Sequence, residues 1–130
     1  MNEVIKPQMV FTKDLNTVND KIDITIATID DRNIDHEAID NYNQRNFKPC
    51  RHVRKNGEFV GVFCNIDSIW IDRSENKEQV KLVARIEPYH FMPAAFTQVI
   101  KDNSMLIFAC ETLSVDGVIK NITNIEVVTP

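Results

Sequence analysis

The residue pattern predicts an α+β domain: a small, mostly antiparallel β-sheet or barrel flanked by two or more short helices. Three observations predict it. Several stretches of strand length alternate apolar and polar residues. Two stretches carry helical spacing behind a capping residue or a leading proline. Turn residues separate these stretches at short intervals. The chain has 130 residues, 43% of them hydrophobic and 26% charged. That is one domain with its own core, and it excludes collagen-like, coiled-coil and wholly disordered classes.

Residues 1–20 are mixed and polar, with Pro7 early, and are expected to form an extended arm; residues 21–130 form the domain. Ile22-Asp23-Ile24-Thr25-Ile26 has the period of a half-buried strand, and Asp30-Asp31-Arg32-Asn33 is a turn. Asp35 to Tyr42 reads as a short helix capped by Asn33 or Asp35, with Ile34, Ala38 and Ile39 on one face. Asn43 to Pro49 breaks it. Glu58 to Ile66 is apolar on both faces, so it reads as a strand covered on both sides, bending into Ser68-Ile69-Trp70-Ile71. Arg73 to Lys77 is a hairpin tip. Gln79 to Glu87 returns with Val80, Leu82, Ala84 and Ile86 inward, and Pro88 stops it. Pro93 opens a helix to about Lys101 that buries Ala94, Ala95, Phe96, Val99 and Ile100. Ser104 to Leu113, the Asp116-Gly117 turn and Val118 to Val128 form the last hairpin.

Net charge is −4, and the only basic patch is Arg51-His52-Val53-Arg54-Lys55, so no nucleic-acid partner is expected. No apolar run spans a membrane, and MNEVIKPQM has no signal core, so neither membrane nor secretion is expected. The three cysteines, Cys50, Cys64 and Cys110, lack paired spacing and read as reduced thiols in a cytosolic setting. No CxxC pair suggests a metal, and three glycines are too few for a phosphate-cradling loop, so no cofactor is expected.

Of the histidines, His36 and His90 read as surface or structural residues. His52 stands just before the strong strand at Glu58 and, taken alone, reads as a structural residue, with a catalytic role as the sharper option. Cys64 alternates with core residues. Cys110, in Ile107-Phe108-Ala109-Cys110-Glu111-Thr112, is a nucleophile only if a nearby base lowers its pKa. Glu126 is a charge in an apolar strand: either a solvent-facing residue or a carboxylate that orients a histidine.

Residues 50–130 resemble the prohead maturation proteases of tailed bacteriophages, which share the assemblin fold. The resemblance rests on the order of His52, Gly61-Val62-Phe63-Cys64-Asn65-Ile66 with Trp70, Val80 to Pro88, the Pro93 helix, Met105 to Leu113, and Ile125-Glu126-Val127-Val128-Thr129-Pro130. It implies His52 as base, Glu126 as orienter and a serine in the Met105 strand. Ala109 stands at that serine's place. A shift of one residue would make Cys110 the nucleophile, at the cost of turning every flanking side chain to the opposite face. The segment before it, Asn103-Ser104-Met105-Leu106, has no glycine to bring backbone N–H groups to an oxyanion, and Glu111 opposes negative charge there.

The resemblance therefore implies a capsid-associated auxiliary or assembly protein that has lost catalysis. Its partners would be phage capsid or scaffold proteins, or further copies of itself, met through the arm and exposed strand edges by packing or β-augmentation. It would reside in the virion or prohead, and in the host cytoplasm during assembly. Two alternatives stay open: an active endopeptidase using Cys110, Ser104 or Ser114, and an unrelated small phage-encoded binding or inhibitor protein.

Overall fold

Alternation along the strands commits one face of each to a shared interior, and a sheet with one apolar face curls to bury it. The computed structural model describes residues 5–15, 21–73, 78–88 and 93–130. Its strands are β1 (Ile5–Pro7), β2 (Met9–Phe11), β3 (Ile22–Asp30), β4 (Pro49–Arg54), β5 (Phe59–Asp72), β6 (Gln79–Glu87), β7 (Met105–Val115) and β8 (Val118–Thr129). Two helices, α1 (His36–Asn43) and α2 (Pro93–Asp102), pack against them. The strands form one nearly closed sheet in the order β1-β3-β6-β5-β4-β8-β7-β2. Every neighbouring pair is antiparallel except β4 with β8. The fold is thus the expected α+β, mostly antiparallel barrel-like sheet with helices outside.

The arm is part of that closure. β1 pairs with β3 and β2 with β7, with the Gln8 amide donating to the Ile26 carbonyl at 3.0 Å between them. Val10 points inward and Leu15, in the 3-10 turn Thr12–Leu15, is fully buried. Its amphipathic signal is three residues long on each side of Gln8, too short to read as strand.

A strand that its sequence does not signal lies between the expected break at Asn43 to Pro49 and the Glu58 strand. Only α1 ends at the break; Pro49–Arg54 becomes β4, with Cys50 and His52 inward and Arg51 and Val53 outward. A histidine at an inward position hides the period. The strand after it is not covered on both sides, as its sequence suggested: Phe59 and Val60 are exposed. Bulges at Cys50/Arg51 and His52/Val53 turn Phe59 outward beside Val53, where Arg51 lies 4.6 Å above its ring. Ala94 is exposed as well, because α2 turns Phe96 and Val99 inward and Ala94 lies on the opposite side of the helix.

β5 is fourteen residues long and changes partner along its length. Phe59 to Asn65 pairs with β4, and Asn65 to Asp72 pairs with β6. Among the described residues, each half therefore has one edge with no strand beside it. In the upper half that edge is satisfied. The Ile66 amide donates to the Lys48 carbonyl at 2.7 Å, the Ile69 amide donates to Asn43 Oδ1 at 2.8 Å, and Asn43 Nδ2 donates to the Ile69 carbonyl at 2.8 Å. A single carboxamide thus imitates a strand and locks α1 to the sheet. α1 is positioned for this by its Asp35 cap, which accepts from the Glu37 amide, and by buried Ala38, Ile39 and Tyr42. In the lower half, α2 stands beside β5 with the Phe96 ring stacked 4.7 Å from Phe63, and a pocket lies between the two elements.

Asn43→Ala leaves both Ile69 backbone groups without partners. We expect a loss of about 1–3 kcal/mol in urea unfolding with an unchanged m-value; a loss under about 0.5 kcal/mol would remove Asn43 from this role.

Candidate functional site

A pocket of about 540 Å³ lies where β4, the lower half of β5, α2 and the end of β8 meet. Its floor is apolar, from Phe63, Val62, Ala95 and Val99, and its polar groups are His52, Thr129, Arg54, Gln98, Asp102 and Asn103. His52 is buried at the pocket wall by the inward parity of β4. Thr129 arrives beside it because β8 runs parallel to β4, with Ile125, Val127 and Thr129 all inward. His52 Nε2 and Thr129 Oγ1 share a 2.7 Å hydrogen bond, whose donor depends on the imidazole tautomer. Burial, and then the nearby Arg54 charge, lower the His52 pKa, so the ring is neutral at pH 7. Gly61 is the cross-strand partner of His52; a Cβ there would meet nothing within 4 Å, so glycine leaves the pocket open beside the imidazole.

The three residues that would make a catalytic set are not brought together. Glu126 pairs in register with Arg51, one residue before His52, and so projects from the opposite face. There it lies 3.6 Å from the Arg51 guanidinium and accepts from Asn124 Nδ2 at 2.6 Å. Thr129, not Glu126, is the group that holds His52. Cys110 does face inward, but it aligns with Ile125, whereas His52 aligns with Val127. That places it two strands, about 9–10 Å, and two residues, about 7 Å, from the histidine. Buried Val127 and Phe108 continue the row of His52 across β8 and β7 and stand between it and the thiol. Cys110 lies instead near Cys50, and burial followed by that neighbour pushes its thiol up to about 12. Cys50 faces Cys64 across the strands, and burial raises its pKa too. Ala109, the family's nucleophile position, is the register partner of Glu126 and projects outward. Neither alignment of the nucleophile segment therefore presents a side chain to His52. Ser104 and Ser114 are exposed at opposite ends of β7 and do not line the pocket.

His36 is exposed on α1, 2.8 Å from Arg73 Nη2 and 3.9 Å from Asp31. His90 lies outside the described residues. Among the described residues no cluster of His, Cys, Asp or Glu has the makings of a metal site, and no helix is long and apolar enough to cross a membrane. Sequence reasoning missed Thr129, Arg54, Gln98 and Asp102. Thr129 had a signal: it is the polar member of an inward series after Ile125 and Val127. The α2 residues had none, since only the packing of α2 beside β5 brings Gln98 and Asp102 to the pocket.

No family model, no curated protein and no solved structure matches the chain.

The lowered pKa of His52 fixes the sign of a pH effect. Below 6.5 the unfolded chain takes up a proton that the folded chain resists, so the stabilisation is full above 6.5 and is lost as pH falls through the lower folded value. The carboxylates of Asp23, Asp30, Asp31 and Asp35 are held below 3.8 and act only at lower pH. Unfolding free energy should fall between pH 7 and pH 5, and His52→Gln should flatten that fall. An equal slope in both proteins would contradict the assignment.

Proposed function

We propose that the chain is a non-catalytic auxiliary protein of a tailed-phage capsid, built on a prohead-protease-like fold. The observation that carries this reading is the separation of His52, Cys110 and Glu126 across two faces and two rows of the sheet. A thiol pushed to about 12 is protonated at neutral pH and is no nucleophile. The residue order over 50–130 supplies the phage setting. The active-protease alternative called on Cys110, Ser104 or Ser114, and none of the three lines the pocket beside His52.

A protein that acts by docking needs a surface, and the outer face of the sheet offers one. Cross-strand register aligns Met9, Ile107, Val128, Val53 and Phe59 in a row over β2, β7, β8, β4 and β5. Phe11 and Met105 form a second cross-strand pair beside it. Met9, Phe11, Met105, Ile107 and Phe59 are each between 40% and 52% exposed. Adjacent apolar side chains on an open sheet face are a feature of interaction surfaces. The partner under this reading is capsid or scaffold protein, and the place is the prohead or virion.

Particles purified from the phage that encodes the chain should contain it at a fixed ratio to capsid protein. Ile107→Lys should leave it in the soluble fraction while changing its stability by under about 0.5 kcal/mol. Particles without the chain, or precursor cleavage that stops with Cys110→Ser, would contradict the proposal.

A further inference from the structure

The pocket is bordered by the edge of a strand. Val60, Gly61, Val62 and Phe63 line it in succession. A strand presents only alternate side chains to one face, so four residues in a row mean that backbone takes part in the wall. Pairing along β5 says why. From Phe59 to Cys64 the strand is bonded to β4 alone, because β6 begins its pairing at Asn65. Among the described residues no strand pairs the other edge of this half. Asn43 and Lys48 satisfy the corresponding edge of the upper half. Beside the lower half stands α2, whose Ala95, Gln98, Val99 and Asp102 form the opposite wall.

We infer that this groove binds an extended peptide segment of a partner protein, added as a strand to the free edge of β5. The edge fixes the occupant's chemistry. A row of backbone donors and acceptors is matched in both spacing and polarity by another extended backbone. The floor fixes one side chain. Phe63, Val99 and Ala95 form an apolar seat beside the neutral His52–Thr129 pair, and Gly61 keeps it open. An apolar or aromatic side chain of the peptide enters there, and the flanking residues point toward the polar rim of Arg54, Gln98 and Asp102. Arg54 and Asp102, which accepts twice from Gln98, put one charge of each sign at the rim, so the groove does not select a segment of one charge. This inference names a contact for the assembly reading but rests on the strand edge, not on that reading.

The test uses the full chain and a library of capped heptapeptides alternating threonine with valine, leucine, phenylalanine or tyrosine. Fluorescence anisotropy reads binding. At least one member should bind, and Gly61→Val, which fills the seat from a position where a Cβ meets no atom, should weaken it at least tenfold. The same peptide N-methylated on alternate amides, in the two possible phases, should lose binding in one phase and keep it in the other. Retention with both phases would overturn strand addition and leave an apolar pocket for small molecules. Failure of every member to bind, or binding unchanged in a folded Gly61→Val or Gly61→Ala protein, would overturn the groove. Peptide binding by a chain absent from particles would keep the groove and remove the capsid role.

Discussion

The partner switch of β5 at Asn65 is the constraint on which the rest of this molecule depends. Bonded to β4 below and to β6 above, the strand has, among the described residues, one edge of each half with no strand beside it. Buried or half-buried backbone groups on such edges need partners. The upper edge takes them from Asn43 and Lys48, which fixes where α1 docks. The lower edge has α2 laid beside it at the distance of a stacked aromatic pair, Phe63 and Phe96, and between them lies the pocket. Closure by residues 5–11 follows from the same geometry, since the sheet curls far enough for one kinked segment to reach both β3 and β7.

Inward and outward parity then decides what the site can do. β8 lies parallel to β4, so a pair of residues at the same level shares a face. This brings Thr129 to His52 and carries Glu126 to the outside with Arg51. The nucleophile segment meets the same rule. Ala109 goes outward, and Cys110 goes inward into a thiol-rich part of the core with Cys50 and Cys64, under Tyr42, whose phenol is raised by burial. A buried thiol without a cation or imidazole beside it behaves as a small hydrophobe. What remains at the barrel end is an imidazole hydrogen-bonded to Thr129 at the wall of a cavity with an apolar floor and a polar rim.

Much of the fold was legible in the sequence because its signals are local. The alternation of Ile22 to Ile26 and of Val80 to Ile86, the Asp35 cap, Pro93 and Asp116-Gly117 each declare an element within a few residues. Asp116 and Gly117 indeed both adopt positive φ in the turn. What was not legible depends on distant pairing. Residues 5–11 read as an arm because each strand is three residues long and gains its place only from β3 and β7. β4 was not read as a strand because His52 stands at an inward position and hides the alternation. Phe59 and Val60 read as covered because bulges, which turn side chains over, leave no mark in composition. Of the site, His52 was singled out only through the order of elements around it, whereas its partner Thr129 and the α2 wall come from strands and a helix meeting across the whole chain.

The central claim is that the lower half of β5 has an open edge, and amide hydrogen exchange followed residue by residue measures it most directly. The account predicts slow exchange at Ile66 and Ile69, held by Lys48 and Asn43, and an alternating pattern over 59–64: slow where the amide faces β4, fast where it faces the pocket. Uniformly slow exchange through 59–64 would show that another part of the chain already occupies that edge and would contradict the account.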